Sequence, residues 1–109
     1  MKLENSIDTI LGFATKAGAT LFGMEGVCRG VRSGKIRLVV WDTGLSGRSQ
    51  KDVKAMCEYY SVPQIAMDPP GRLERCCGRK QNKIVGITQK SFADRLMELD
   101  RERMNSAEV

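Results

Sequence analysis

The sequence predicts an α/β sandwich in which a small sheet of about four strands is covered by helices on both faces. Three observations carry the prediction. Along the chain, apolar residues alternate between helical spacing and short β-branched runs. Those runs are only about four or five residues long and end in turn residues. The chain has 109 residues, 41% of them hydrophobic, which fits one domain with a true core.

The elements follow in order. Asn5 and Ser6 are helix-start residues, with Asp8 and Thr9 close behind. Ile7, Ile10, Leu11 and Ala14 then recur on one helical face, and Gly18 ends the helix. A short extended segment, residues 20–22, leads to Gly23. A second helix covers residues 24–32, with Val27 and Val31 on one face, Cys28 beside them and Gly34 as its stop. Gly26 and Gly30 inside it each weaken the helix by about 1 kcal/mol. They serve either the close approach of a backbone or ligand, or tight packing against the sheet. Residues 36–41 are a β-branched run and read as a buried central strand. Residues 43–49, rich in Gly and Ser, read as a loop, after which Val53, Met56, Cys57 and Tyr60 restore the helical spacing. Residues 65–67 are a short strand, and Asp68-Pro69-Pro70-Gly71 is a turn. Residues 73–77 are a short helix stopped by Gly78, and residues 83–87 are another buried strand. Phe92, Leu96 and Leu99 share one face of the last helix, with Ala93 and Met97 adjoining. Beyond Asp100 the chain reads as a frayed, charged tail. The expected organisation is a single domain over residues 1–97 and a charged tail over 98–109.

Composition excludes several chemistries. With no histidine, neither a Ser-His nor a Cys-His nucleophile pair can form within the chain, and no imidazole can ligate a metal. The four cysteines, Cys28, Cys57, Cys76 and Cys77, make no CxxC pair, so no zinc site is expected. Cys28 and Cys57 fall on helical faces and read as core. The adjacent Cys76 and Cys77 are either core thiols or an oxidant-sensing pair beside Arg75 and Arg79. Asp8, Asp42, Glu58 and Asp94 show no spacing that pairs them for acid–base work, and there is no P-loop or dinucleotide fingerprint. The apolar runs are far shorter than a bilayer span, and residues 1–6 are polar, without the apolar stretch of a leader. A non-enzymatic cytoplasmic protein without cofactor or metal is the expectation.

Charge points towards a polyanion. Lys and Arg number 18 against 13 Asp and Glu, a net charge of +5. Lys16, Arg29, Arg32, Lys35 and Arg37 cluster in the first third; Arg72, Arg75, Arg79, Lys80 and Lys83 cluster later. Such runs are either solvated faces or a nucleic-acid surface. Gly23 precedes a helix start, where unpaired N–H groups point outward and can hold a phosphate or a base edge. Glu25 lies in the first turn, and Arg29 follows at i, i+4. The two make either a simple ion pair on a favourable helix dipole or, with Glu25 accepting from base amino groups, a recognition element. The segment Cys77-Gly78-Arg79-Lys80-Gln81-Asn82-Lys83 is dense in donors. It reads as cations at a helix C-terminus or as phosphate contacts from Arg79 and Lys80.

The order of these features resembles the ribosomal L-seven-Ae/L-thirty-e family, especially its small bacterial members that look like ribosomal proteins. The likeness spans residues 10–96. It is carried by Leu11-Gly12-Phe13-Ala14 with Lys16-Ala17-Gly18, by Gly23-Met24-Glu25, and by Arg29-Gly30-Val31-Arg32-Ser33-Gly34-Lys35. It continues in Leu38-Val39-Val40, Cys57-Glu58-Tyr59-Tyr60 with Val62-Pro63, Leu73 with Gly78-Arg79-Lys80, and Val85-Gly86-Ile87-Thr88. The resemblance implies a three-layer α/β/α sandwich with a small mixed sheet that binds kink-turn or related bent RNA. It maps the loop that reads tandem sheared G·A pairs onto Gly23, Met24, Glu25, Gly26 and Arg29. A second loop, which packs on the RNA bulge, maps onto Gly78, Arg79 and Lys80 and extends to Lys83; Lys16 completes the expected RNA-binding set. The chain departs from the strongest RNA binders at two points: Glu25-Gly26 stands where they carry Asn-Glu, and Thr43 where they carry an acidic residue. The expected partner is structured RNA, a kink-turn or a ribosomal RNA element, with the ribosome as a candidate assembly. A monomer is expected, with no DNA specificity and no membrane. A protein-interaction or regulatory module, as in the family's growth-arrest branch, is the alternative.

Overall fold

The computed structural model describes residues 6–80 and 82–107. The element order is α1 (Ile7–Lys16), β1 (Thr20–Phe22), α2 (Met24–Arg32), β2 (Leu38–Asp42), α3 (Gly47–Tyr59), β3 (Gln64–Met67), α4 (Arg72–Cys77), β4 (Ile84–Ile87) and α5 (Lys90–Ala107). The strands form one mixed sheet in the order β1-β4-β2-β3. β4 is antiparallel to β1 and β2, and β2 is parallel to β3. Helices cover both faces, so the α/β/α sandwich with a small mixed sheet is the observed architecture.

Side-chain alternation along β2 explains why that strand reads as an unbroken apolar run. Leu38 and Val40 join a core with residues of α1, α4 and α5; Val39 and Trp41 join a second core with Val27 and Val31 of α2 and Val53 and Cys57 of α3. Every position of β2 is buried as a result. Trp41 is pinned at its polar edge, where Nε1 donates to Gln64 Oε1 at 2.9 Å. The Lys54 ammonium lies 5.4 Å from its ring centroid, a cation–π contact that ties α3 to the sheet.

The two glycines inside α2 separate cleanly. A Cβ on Gly30 would lie 2.6 Å from Ile36 Cδ1 and 2.9 Å from Leu21 Cδ1, so this glycine exists for packing. A Cβ on Gly26 would meet nothing within 4 Å, so its flank is open.

Several expected boundaries move. Ser6 caps α1 as expected, accepting from Thr9 N at 3.1 Å; Asn5 lies outside the described residues. Residues 47–49, expected as loop, are already helical, because Ser46 accepts from Ser49 N at 3.2 Å and starts α3 by capping rather than by apolar spacing. β2 starts at Leu38 rather than at 36 and takes in Asp42. Cys57 is buried as expected, but Cys28 is only partly buried rather than core; Tyr60, which continues the helical spacing, is exposed at the end of α3. α5 continues through Ala107, past the Asp100 end expected from apolar spacing. The i, i+3 pairs Arg95–Glu98 and Arg103–Asp100 lie along its later turns, where no apolar stripe is needed.

β1, β2 and β3 all run in the same direction. The loop into α2, residues 43–46 and the 68–71 turn therefore leave one end of the sheet, and the segment entering β4 arrives there. Open α/β sheets bind their ligands beyond the carboxyl ends of parallel strands.

Candidate nucleic-acid interface

The interface starts at Gly23. Its backbone sits at φ 83°, ψ 153°, a conformation that L side chains rarely adopt. Its N–H donates to Ile84 O at 3.4 Å, which holds the loop against the start of β4. No side chain caps α2, so the first-turn amides of Met24, Glu25 and Gly26 and the positive end of the helix dipole are left for an acceptor. Glu25 and Arg29 pair at 2.9 Å, with side chains 88% and 75% exposed. A pair that exposed is worth only a few tenths of a kcal/mol, so a ligand can part it at little cost.

The second loop is joined to the first by one contact. α4 ends at Gly78, left-handed at φ 67°, whose N–H donates to Glu74 O at 2.9 Å. The chain then turns so that the Arg79 guanidinium carbon lies 4.3 Å from the centroid of the Phe22 ring. Phe22 immediately precedes Gly23. Lys83 reaches the same end of the sheet, its carbonyl accepting from Asp42 N at 2.8 Å, while the Lys80 and Lys83 side chains are exposed. Asn82 is buried, and its side-chain nitrogen has no hydrogen-bond partner among the described residues; Gln81 lies outside them.

The structure thus brings Gly23, Met24, Glu25, Gly26 and Arg29 to one corner with Arg79 and Lys83, and Gly78 and Lys80 belong to the same loop. α1 runs alongside α4, with Asp8 on Arg72 at one end and Thr15, the residue before Lys16, beside Cys77 at the other. The basic cluster of the first third is divided by the fold, since Arg32, Lys35 and Arg37 lie at the far end of the sheet, where Arg37 N donates to Ile87 O.

Beside this corner sits a carboxylate that is entirely consumed. Asp42 is 1% exposed. Its oxygens accept from Gly44 N at 2.7 Å, from Gly71 N at 3.1 Å and from Leu73 N at 3.1 Å, which caps α4 from a distance. Thr43 is also occupied structurally, donating to Asp68 Oδ1 at 2.7 Å and bonding Met67 O at 3.2 Å. Behind it, Arg72 grips Asp8 and also donates to Asp68 O at 2.9 Å. Burial pushes the Asp8 carboxyl up, but the hydrogen bonds and charge of Arg72 outweigh it, so its pKa lies below the ordinary carboxylate value. Asp94 is paired with Lys90. The thiols beside Asp8 are held protonated. Burial and the Asp8 charge push Cys76 up to about 12, and burial raises Cys77 against Thr15 and Arg79. The oxidant-sensing reading of this pair therefore has no electrostatic support, since the thiolate is the reactive form.

Three contributors were not legible as such in the sequence. Phe22 looks like any strand aromatic, although its place before a glycine helix start was a usable signal. Asp42 looks like a turn residue. Asn82 carries no signal of burial.

Comparison with known proteins agrees with the geometry. The chain is 29% identical over 90 residues to the RNA-binding protein YlxQ of Bacillus subtilis, covering 83% of this chain and 90% of that protein. It is equally identical over 90 residues to YlxQ of Enterococcus faecium, covering 83% and 86%. A protein of unknown function from Bacillus halodurans superposes with a TM-score of 0.84 at 24% identity, covering 90% of this chain and 99% of that one. The Giardia lamblia 15.5 kD RNA binding protein superposes at 0.74 with 17% identity, covering 94% and 89%. These two structures share the fold. The sequence profile of the ribosomal protein L7Ae/L30e/S12e/Gadd45 family matches residues 5–97, and the chain belongs to that family.

Proposed function

We propose that this chain is a non-catalytic RNA-binding protein that recognises a kink-turn or a similarly bent ribosomal RNA element through the loop into α2 and the loop before β4. The observation that carries the reading is Arg79 stacked on Phe22, which joins the two glycine-framed loops into one basic corner. A sharp bend crowds phosphates, and clustered Arg and Lys relieve that repulsion by releasing counterions. Non-Watson–Crick pairs at the bend expose base edges that a regular A-form groove hides. Gly23 and Gly26 let the α2 amides approach those edges, since no side chain intervenes. Glu25 can exchange Arg29 for a base amino group while Arg29 turns to phosphate. RNA-binding relatives and family membership support the RNA-binding part of this reading; a monomer in the cytoplasm with ribosomal RNA or the ribosome as partner completes the proposal.

A gel-shift titration of a kink-turn RNA against a straight duplex of equal length tests it. Clear preference for the kink-turn is expected; equal, weak affinity for both overturns the reading. Arg79→Ala and Arg29→Ala should each weaken binding about five-fold or more and flatten the salt dependence by about one unit of slope. Unchanged affinity in both variants moves the interface elsewhere.

A further inference from the structure

We propose that the outer face of α3 is a second phosphate-binding surface, which holds the sugar–phosphate backbone of an RNA stem adjoining the bend. The proposal rests on the RNA reading above and extends it beyond the α2 loop. A shallow groove of about 640 Å³ is lined by Gly47, Arg48, Gln50, Lys51 and Lys54. Its own lining thus carries three cations and no carboxylate. The three are exposed and recur every third residue, so they stand in one row along the helix. The sheet fixes where that row lies. Gly23 N donates to Ile84 O, and Ile84 pairs with Trp41, so Gly23 and Trp41 share one level across the sheet. Lys54 stands over the Trp41 ring. α3 connects parallel β2 and β3 and so runs back from the end where the α2 loop emerges. Arg48, six residues before Lys54, is about 9 Å of helix nearer that end. The row therefore extends outward from the level of Gly23, on the face of the sheet that α2 also covers.

Charge selects the occupant. Like charges at i, i+3 repel, and a cation in the first helical turn opposes the helix dipole. α3 carries both costs: Arg48 sits in its first turn with no acidic residue there, and Lys51 and Lys54 follow. Partners are within reach along the helix, since Asp52 lies at i, i+4 from Arg48 and Glu58 at i, i+4 from Lys54. Yet none of the described residues forms an ion pair with Arg48, Lys51 or Lys54. Asp52 lines the groove towards α2 instead. α5 handles its exposed charges differently, pairing Lys90 with Asp94, Arg95 with Glu98 and Arg103 with Asp100. A row of cations that opposes its own helix is compensated by an anion from outside. Evenly spaced, unpaired cations match the repeating charge of a phosphodiester chain. A stem leaving the bend at Gly23 supplies that chain at the same end of the molecule.

The test uses the full chain and two kink-turn RNAs, one with long stems and one with its stems trimmed to the few pairs next to the bend. The variant is Arg48→Gln/Lys51→Gln, because Lys54 also packs on Trp41. It should bind the long-stem RNA about five-fold or more weaker than the unaltered chain and flatten the salt dependence by about two units of slope. The trimmed RNA should be bound as before. Thermal melts should find the variant at least as stable as the unaltered chain, since two repelling cations are gone. Unchanged affinity for the long-stem RNA, or an equal loss on both RNAs, overturns the proposal. A lower melting temperature also overturns it, since the cations would then serve the fold. If the unaltered chain binds the kink-turn no better than a straight duplex, the reading of the bend fails, and the α3 face is judged on the duplex alone. A salt slope reduced in the variant then supports the face, and an unchanged slope overturns it. Phosphatidylserine vesicles bound by the unaltered chain and not by the variant, with RNA binding unaltered, would make a membrane surface the occupant and overturn the RNA stem.

Discussion

Two neighbouring carboxylates at the same end of the sheet have opposite fates. Asp42 ends β2 and is fully buried, its oxygens taken by the amides of residues 44, 71 and 73. Glu25 opens α2 and is exposed, with a single i, i+4 partner in Arg29. Both lie beside glycines and near a helix start, and both look available in the sequence. The difference is what the chain folds over them. The 68–71 turn and α4 close over Asp42, while none of the described residues closes over Glu25. Polar groups that a fold consumes internally hold it together; those it leaves unanswered are free for a partner.

Breaking the comparison at Asp42 gives the largest expected effect. Asp42→Ala leaves three amides in a buried corner without their acceptor and should cost about 3 kcal/mol or more in urea unfolding. Glu25→Ala should stay within about 0.5 kcal/mol in the same assay. Similar losses in the two variants would mean that the Asp42 network is not structural.

The glycines of α2 sharpen the contrast on one helix. Gly30→Ala forces a methyl against Ile36, which is buried and also covers Gly86, and should cost about 1–3 kcal/mol. Gly26→Ala meets open space and should gain up to about 1 kcal/mol from helix propensity. Thermal melts of the two variants should therefore move in opposite directions; a shared direction would refute the assignment of Gly30 to packing and Gly26 to an open flank.

The smallest effect is expected at the edge of the consumed corner. Asp8 is depressed by Arg72, so its folded pKa is below its unfolded one. Its contribution is complete above the ordinary carboxylate range and is lost as pH falls through the folded value. Asp8 is partly exposed, which limits the effect to below about 1 kcal/mol. Asp8→Asn should lower stability at neutral pH and converge with the parent as the pH falls through and below the depressed folded value. A difference that persists unchanged in acid would show that the ion pair is not its source.

Much of the architecture was legible because it depends on local pattern. Ile7, Ile10, Leu11 and Ala14 face one core, and Gly78 stops α4, as their spacing and type required. The errors have physical causes of the same local kind. Ser46 starts α3 through a cap that apolar periodicity does not register. Tyr60 keeps the helical spacing but falls where the helix has already left the sheet. At the candidate interface, Gly23 to Arg29 and Gly78 to Lys83 could be singled out by their glycines and cations. That Arg79 would meet Phe22 could not, since it follows from the antiparallel pairing of β1 with β4, which brings the segment entering β4 beside the end of β1.

The amino-acid order by itself determined the helices, the apolar strands, the absence of imidazole chemistry and the surplus of positive charge. These are set by side-chain type and by periods of a few residues. Only the tertiary structure decided which charges remain for a partner. Asp42 and Asp8 were withdrawn and Glu25, Arg29 and Lys83 left exposed by contacts between segments tens of residues apart, and burial of that kind is a property of the assembled sheet rather than of any stretch of chain.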